Sequence, residues 1–331
     1  RQRAAALGVV TIFSGLDIIG GFLNGAMTEH LESWGPTQFS AMITQAFWVP
    51  HHALPAWIGA VGYLYWHRER WPLTAFLAPI PLLALWSPFA LLGLLPFIAL
   101  ACLTELCGRR INWRTPLAPA ITLMVASLSL LYLSASGETV GFGYYFIEPG
   151  RYWQFQLLET APYLVPLFFC LRESRDRRLL MMIGFWLLLV PFMKIGPSSD
   201  FTARASMPGL ALLAYLTAAQ LTARQNSGIS NAVMVAALTV GSFTGMTEIA
   251  RAVRHSPAPV LKCALTSAYD QSFAAQSQAT YLTPLAAMPR IAGGILSKAV
   301  AQFKRSFPGT LVTIHSGAAA TVDSWVSSGL C

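Results

Sequence analysis

The chain has 331 residues, of which 55% are hydrophobic and only 11% are charged, and its mean hydropathy is +0.53. Soluble domains carry about 25% charged residues, so this composition excludes an ordinary soluble protein and predicts an integral membrane protein. The formal net charge of +8 does not indicate a nucleic-acid partner. In a polytopic membrane protein, Lys and Arg chiefly report which loops face the cytoplasm.

Apolar segments follow one another along the first 250 residues, and about 20 predominantly apolar residues suffice for a helix to cross a bilayer. They are residues 5–27, 40–66, 72–86, 88–106, 116–135, 157–171, 179–195, 205–223 and 230–250. The third and fourth are short and close together, which favours either a broken hairpin or two short spans. Residues 1–250 are therefore predicted to form an all-α, polytopic membrane helix bundle of about nine spans.

The distribution of basic residues predicts the orientation of this bundle. One set of loops holds Arg1, Arg3, Arg68, Arg70, Arg109, Arg110, Arg114, Arg172, Arg175, Arg177, Arg178 and Arg224, whereas the opposite loops hold Arg151, Lys194 and Arg204. Since cytoplasmic loops are enriched in Lys and Arg, the N-terminus is predicted to be cytoplasmic. The expected location is a bacterial inner membrane, crossed several times.

Residues 251–331 are predicted to be a separate, extracytoplasmic segment. The apolar residues of 290–307 recur at helical spacing, which fits either a helix on the membrane surface or an ordinary amphipathic helix packed on the protein. Cys263 and Cys331 both fall here, and an oxidising compartment would allow them to form a disulfide. Two unpaired thiols are the alternative. No Cys-x-x-Cys spacing indicates zinc.

The segment 38–66 carries helix-breaking and polar residues in its middle. Pro50 and Pro55 interrupt the backbone hydrogen-bond ladder of a helix. His51 and His52 lie at this break, and polar groups at membrane depth are costly unless they face a protein interior or a wet cavity. The pattern predicts a kinked helix that lines a pocket; the two imidazoles would be catalytic, pore-lining or simply satisfied core groups.

Other polar groups are predicted to converge on the extracytoplasmic side. Asp17 lies inside the first apolar segment, where an unpaired carboxylate is costly. The predicted outer loops add Glu29, Glu32, Trp34, Tyr144, Tyr145, Arg151, Lys194, Asp200 and Arg204. A carboxylate can act as general base toward a sugar hydroxyl, Arg can hold a phosphate with two hydrogen bonds, and aromatic rings suit sugar faces.

Each of these groups also has a simpler interpretation. The Tyr and Trp residues fit the aromatic belt of any membrane protein. Asp200 and Arg204, four residues apart, fit an ion pair at a helix start. Glu29 and Glu32 fit a solvated loop face. The sequence carries neither a P-loop nor a Gly-rich dinucleotide fingerprint, which argues against direct use of ATP, and it specifies no cofactor or divalent metal.

Four stretches carry a resemblance to a known class of proteins. FSGLDIIGG, HLESW, QFSAMITQAFWVPHHALPAWI and SSDFTARASMPGLALL together resemble a pattern in large bacterial polytopic proteins that are similar to the GT-C superfamily of membrane glycosyltransferases. The resemblance covers roughly residues 11 to 220. It implies a polyprenyl-phosphate sugar as donor and an acidic residue of an early outer loop as base. By resemblance, Glu29 or Glu32 takes the acidic role, with Asp17 as rival, and Arg204 or Lys194 holds the lipid phosphate.

The leading hypothesis is therefore a membrane-embedded glycosyltransferase that uses a polyprenyl-phosphate-linked sugar for cell-envelope glycan or glycolipid assembly. Membrane lipids and the lipid-linked sugar are the expected partners, and nucleic acid is not. One alternative is a transporter or flippase in which Asp17, His51 and His52 relay protons or bind cargo. The other is a non-catalytic subunit whose segment 251–331 docks partners of an envelope assembly.

Overall fold

The computed structural model describes residues 2–108, 124, 127, 142–195, 200–223 and 228–254. Most of the predicted span 116–135, the amphipathic stretch 290–307 and the cysteine pair Cys263 and Cys331 lie outside the described residues. The chain divides into two compact units. The larger comprises residues 1–122, 143–194 and 198–256, and the smaller comprises 123–142, 195–197 and 257–331. The fold and site below belong to the larger unit, except where the two short strands extend beyond it.

The described residues are mostly helical, which confirms the predicted all-α class. The helices are α1 (Gln2–Ile12), α2 (Asp17–Leu23), α3 (Met42–Trp48), α4 (Pro50–Glu69), α5 (Leu73–Leu77), α6 (Ile80–Trp86), α7 (Pro88–Cys107), α8 (Pro149–Glu159), α9 (Ala161–Cys170), α10 (Ser174–Leu189), α11 (Asp200–Ala205), α12 (Met207–Thr222) and α13 (Gly228–Arg254). Single 3₁₀ turns occupy Leu31–Trp34 and Val190–Phe192, and β1 (Phe142–Tyr144) pairs with β2 (Met193–Ile195).

Within the described ranges, three helical segments are long and apolar enough to cross a membrane: Gln2–Leu23, Pro88–Cys107 and Gly228–Arg254. Leu73–Trp86 and Ala161–Cys170 are shorter apolar helical segments. Several predicted spans are divided rather than continuous. The segment 40–66 becomes α3 and α4, and the segment 157–171 is interrupted at Thr160 between α8 and α9.

The first apolar segment unwinds at residues 13–16, between α1 and α2. Its backbone groups find partners on other elements: Leu16 N–H donates to the Leu158 carbonyl at 3.1 Å, and the Phe13 carbonyl accepts from Met42 N–H at 3.1 Å. The hydroxyl of Tyr163 donates to the Ser14 carbonyl at 2.7 Å. Irregular backbone is tolerated at membrane depth when protein surrounds it in this way.

Helix α12 lies at the centre of this unit, because it packs against α1, α4, α7, α9 and α10. Its side chains are buried all round, including Leu210, Leu213, Ala214 and Thr217. A helix that is apolar on every face is stable only when other helices enclose it. The sequence immediately before it, α11, is thereby held against the bundle, and the functional residues described next lie at that end.

Candidate functional site

A cavity of about 250 Å³ lies at the end of the bundle where α3 stops and α11 leads into α12. Its lining comes from the segment between α2 and α3, from α3 itself, and from α11, α12 and α13. The lining residues are His30, Gln38, Ser40, Thr44, Trp48, Val49, Asp200, Ala203, Arg204, Met207 and Arg251. Helix α3 ends here because Pro50 starts a new helix, and this interruption at Val49 agrees with the break predicted from the prolines.

Arg204 supplies the first positive charge of the cavity. Its Nη1 forms an ion pair with Asp200 Oδ1 at 2.7 Å and also donates to the Asp200 carbonyl at 3.0 Å. The side chain is only 15% exposed, and its buried Nε has no hydrogen-bond partner among the described residues. A buried donor without an acceptor costs about 1–3 kcal/mol. An anion in the cavity would remove that cost.

Arg251 supplies the second positive charge, from a helix far away in sequence. Its guanidinium stacks on the ring of Trp48 at 4.4 Å from the ring centroid. One Nη also pairs with Glu248 Oε2 at 3.2 Å. These two contacts hold the guanidinium beside the cavity, so that the site carries two fixed cationic groups from different helices.

The carboxylate of Glu248 organises this side of the cavity. It is completely buried and receives three donors: Arg251, the indole Nε1 of Trp48 at 2.6 Å, and the His30 ring at 2.7 Å between Nδ1 and Oε1. The His30 side chain is 29% exposed and lines the cavity. Charge-assisted hydrogen bonds of this kind are stronger than neutral ones, so Glu248 fixes the position of the imidazole.

Gln38 connects this cavity with a second, buried group of acids. Its amide nitrogen lies 3.4 Å from His30 Nε2 and donates to a carboxylate oxygen of Glu32. The other oxygen of Glu32 accepts from the Ala41 backbone N–H at 2.8 Å. Burial raises the pKa of Glu32 to about 8, and the negative charge of Asp17 adds to that rise. The side chain of Glu32 is therefore largely protonated at neutral pH.

Asp17 is buried and held by three donors from different parts of the chain. Trp34 Nε1 donates to Oδ1 at 3.2 Å, while Ser14 Oγ at 3.1 Å and Thr244 Oγ1 at 3.0 Å bind Oδ2. Glu159 is also buried, and its carboxylate touches Gly15 so closely that a Cβ there would overlap it. In the described part of the chain, no Lys or Arg forms a salt bridge with Asp17, Glu159 or Glu32.

The predicted site residues separate into three groups. Asp200 and Arg204 line the cavity. Asp17, Glu32 and Trp34 lie in the buried acidic group next to it, and the Trp34 ring packs against Phe155 at 5.9 Å between ring centroids. Sequence reasoning placed the catalytic carboxylates in the pocket, whereas these acids are enclosed by protein.

The remaining predicted residues do not line the cavity. His52 binds Ser87 Oγ through Nδ1 at 2.6 Å, and Ser87 in turn caps α7 through the Ala90 N–H. His51 is exposed and packs on His52 at 4.1 Å between ring centroids. The shared pocket expected for Asp17, the two histidines and Arg204 is therefore not what the structure has.

The aromatic and basic residues of the later loops also lie elsewhere. Tyr144 is exposed and stacks on Phe192 at 5.7 Å, and the Tyr145 hydroxyl donates to the Pro36 carbonyl at 3.3 Å. Glu29 and Arg151 are at the surface, and Lys194 is half-buried in β2. None of these residues lines the cavity. Their predicted roles, catalytic for Glu29 and substrate-binding for the others, stay predictions.

Sequence reasoning gave no site role to five residues that build this site: His30, Gln38, Trp48, Glu248 and Arg251. Glu248 carried a usable signal, because it lies inside the last apolar segment, 230–250, and the cost of a carboxylate at that depth applies to it as it does to Asp17. Arg251 follows three residues later on the same helix face. Nothing local to Gln38 or Trp48 marks them as parts of the site.

Within the described residues, no group of three or more His, Cys, Asp or Glu is arranged to hold a metal ion. No family profile matches the chain, and no curated protein or solved structure matches it either. The fold and the site thus define a helical protein with helices able to cross a membrane and a polar cavity at one end of the bundle. The relationship to the GT-C superfamily stays a prediction.

Proposed function

We propose that this protein is a membrane-embedded glycosyltransferase that takes its sugar from a polyprenyl-phosphate donor at the cavity beside Arg204. The observation that carries the proposal is the buried Nε of Arg204, which has no acceptor among the described residues on a side chain that lines the cavity. A phosphate oxygen is the acceptor that a guanidinium binds best. The sugar would then occupy the cavity with its anomeric carbon facing His30 and Gln38.

A second guanidinium favours phosphate over a carboxylate or a neutral sugar as the ligand. Arg251 is already paired with Glu248, so the pair contributes little net charge, and Arg204 is likewise balanced in part by Asp200. Each cation nevertheless keeps further N–H donors beyond those its carboxylate uses. Two such groups from different helices can bind separate oxygens of a tetrahedral anion and fix its orientation.

The apolar composition supports a lipid as the carrier of this phosphate. The long apolar segments Pro88–Cys107 and Gly228–Arg254 would place the bundle in a bacterial inner membrane, where a polyprenyl chain lies among the helices and its phosphate reaches the cavity. The charge distribution of the loops supports an extracytoplasmic position for this end of the bundle. Cell-envelope glycan or glycolipid assembly is the process that such an enzyme would serve.

The test uses a matched pair of short ligands and the protein in nanodiscs. Farnesyl phosphate and farnesol share one hydrocarbon chain and differ in the phosphate. Tight binding is expected for farnesyl phosphate alone, and R204A is expected to weaken it at least about 30-fold, the equivalent of about 2 kcal/mol for a desolvated charged hydrogen bond. Isothermal titration calorimetry measures both constants.

The control for charge is R254A, which removes an exposed arginine one turn beyond Arg251 on α13. Its binding constant for farnesyl phosphate should equal that of the unmodified protein. Turnover is then followed with undecaprenyl-phosphate hexoses in which the sugar is radiolabelled. The loss of label from the lipid measures the release of undecaprenyl phosphate. Equal binding of farnesol and farnesyl phosphate, or full turnover by R204A, would refute the proposal.

The buried acids support a second candidate, a proton-coupled transporter. Asp17 and Glu159 lie in the bundle interior at the unwound stretch 13–16, and broken helices near the membrane midplane are a common transporter device. If the protein is a proton-coupled transporter, D17N is expected to abolish substrate-driven acidification of liposomes that contain a pH-sensitive dye. A D17N protein that transfers sugar at the normal rate and moves no protons favours the enzyme.

A further inference from the structure

One imidazole is placed between a buried carboxylate and the open cavity. His30 Nδ1 lies 2.7 Å from Glu248 Oε1, and its Nε2 lies 3.4 Å from the amide nitrogen of Gln38. The ring is 29% exposed, whereas Glu248 is fully buried. The side chain therefore has one nitrogen turned to a fixed partner and one turned to a lining residue of the cavity.

The surrounding hydrogen bonds define which nitrogen carries the proton. Glu248 accepts from Trp48 and from Arg251, both of which can only donate. A carboxylate with these donors is an acceptor for His30 as well, so Nδ1 bears the hydrogen. Nε2 is then left with a lone pair, and the Gln38 amide at 3.4 Å is a weak donor to it. A substrate hydroxyl can take the place of that weak contact.

The carboxylates expected from the sequence to act as base are poorly placed for it. Glu32 is 2% exposed, and its two oxygens are occupied by Gln38 and by the Ala41 backbone N–H. Glu29 is at the surface and is not among the lining residues of the cavity. A general base must come within hydrogen-bond reach of the proton that it removes. His30 lines the cavity in which a substrate would bind, whereas these two acids do not.

We infer that His30 is the catalytic base of this cavity and that Glu248 is its positioning residue, an assignment that rests on the proposed sugar transfer. The acceptor is a hydroxyl of a second carbohydrate or lipid, or water in its absence. As its oxygen bonds to the anomeric carbon, its proton passes to His30 Nε2. The bond from the anomeric carbon to the phosphate oxygen breaks, and its electron pair leaves with the polyprenyl phosphate beside Arg204. The imidazolium then returns its proton to water.

The charged groups around the ring come from two helices and from the segment before α3. Glu248 and Arg251 on α13 face it from one side, and Glu32 is reached through Gln38. Asp200 and Arg204 on α11 line the same cavity. A carboxylate–histidine pair with the second nitrogen free holds the imidazole in the tautomer that accepts a proton and stabilises the imidazolium that forms.

Steady-state kinetics of H30N and E248Q in nanodiscs test the assignment, with release of undecaprenyl phosphate from the labelled donor as readout. H30N is expected to lower kcat about 100-fold with KM changed less than about 2-fold, because a base acts in the transition state and not in binding. The acid limb of the pH profile of kcat/KM should be lost in H30N and displaced in E248Q. H51N, which alters an exposed histidine outside the cavity, is the control and should leave both quantities unchanged.

A spectroscopic measurement separates the base from a cationic phosphate ligand without any turnover. ¹⁵N-histidine NMR of the resting protein, with the His30 signals assigned by their absence in H30N, should show a protonated Nδ1 and an unprotonated Nε2 under the conditions of turnover. A doubly protonated ring, or a rise of KM with unchanged kcat in H30N, would overturn the assignment. If the unmodified protein releases no polyprenyl phosphate at all, the proposed function fails and the base assignment falls with it. If it turns over and H30N keeps the normal kcat, the base assignment alone fails.

Discussion

Buried carboxylates near the two ends of helix α4 differ in the charge of their partners. Its 20 residues span about 30 Å, with the cavity beside its first residues and a second polar cluster at its last turn. In that cluster Asp176 binds His67 Nε2 at 3.1 Å and Arg68 Nη2 at 2.8 Å. Arg68 also lies over the ring of Tyr215 at 5.8 Å. Every carboxylate oxygen of Asp176 meets a donor, and its partners can carry positive charge.

At the cavity end Glu248 pairs with Arg251, but a neighbouring group of buried acids forms no salt bridge with any Lys or Arg of the described residues. Asp17, Glu32 and Glu159 are each at most 2% exposed. The donors to Asp17 and Glu32 are neutral hydroxyl, amide, indole and backbone groups, and the Glu159 oxygens have no hydrogen-bond partner among the described residues. Burial raises the pKa of Asp176 too, but its hydrogen bond to His67 and the charge of Arg68 outweigh burial and hold that pKa below its ordinary value. The pKa of Glu32 moves the other way, to about 8. The partners of a buried acid thus decide which form the fold stabilises, the ionised form for Asp176 and the protonated form for Glu32.

The largest expected loss of stability is for substitution of Asp176. D176A removes the acid and leaves His67 and Arg68 without their partner. Breaking a buried ion pair typically costs 3–5 kcal/mol, and we expect about 3 kcal/mol because the Arg68 side chain is 31% exposed. Thermal unfolding in detergent measures the loss. Sugar transfer per folded molecule should stay unchanged; a protein of normal stability would show that this cluster is not structural.

The next effect concerns the close packing around the acids. A Cβ at Gly15 would overlap the carboxylate of Glu159, whereas a Cβ at Gly8 meets nothing within 4 Å. G15A is therefore expected to destabilise the protein by about 2 kcal/mol, within the range for overpacking a tight site, and G8A should be neutral or slightly stabilising. The comparison of their unfolding temperatures isolates the contact. Equal temperatures would mean that Glu159 does not pack on the unwound stretch.

The pH dependence should have opposite signs at the two ends. Because the pKa of Glu32 is raised in the folded protein, the folded state holds a proton that the unfolded state releases, and stability falls as pH rises from about 4.5 to about 8. E32Q mimics the protonated acid, so it should reduce this slope by about 1 kcal/mol per pH unit and raise the unfolding temperature at pH 8. Asp176 contributes the reverse, since its lowered pKa gives stability that is lost as pH falls. An E32Q protein less stable than the unmodified one at pH 8 would contradict this.

The smallest expected effect on stability is for Glu173, at the exposed edge of the Asp176 cluster. Glu173 approaches Arg68 only to 4.0 Å, and its side chain is 72% exposed. E173A should change the free energy of unfolding by less than about 0.5 kcal/mol, as is usual for exposed ion pairs. Measured next to D176A by the same method, it shows whether burial rather than charge decides the cost. A loss as large as that of D176A would remove the distinction.

Some of these features follow from local sequence. Pro50 forces α3 to end and α4 to begin, because proline lacks the N–H that would continue the helix. The cost of a carboxylate in an apolar segment marked Asp17 as a residue that must have partners, and three donors hold it. The i, i+4 spacing likewise indicated the ion pair of Asp200 and Arg204.

The residues that form the cavity could not be predicted from local sequence. Glu248 meets His30 across 218 positions of the chain and Trp48 across 200, and a pairing at such separations is fixed by how α13 packs on the earlier elements. Glu32 fitted a solvated loop face and Trp34 an aromatic belt, yet the segment that contains them folds back into the bundle and buries them. The local sequence does not indicate that this segment packs into the bundle.

The amino-acid sequence by itself determined that this is a helical, strongly apolar protein with interrupted helices and costly acids, because hydropathy, proline and the desolvation of charge act on each residue where it stands. Only the tertiary structure decided which acids receive cations and which do not. It also decided that His30, Arg204 and Arg251 meet at one cavity while His51 and His52 do not. Contacts between distant helices set those outcomes, since the electrostatic environment of a side chain depends on its neighbours in space.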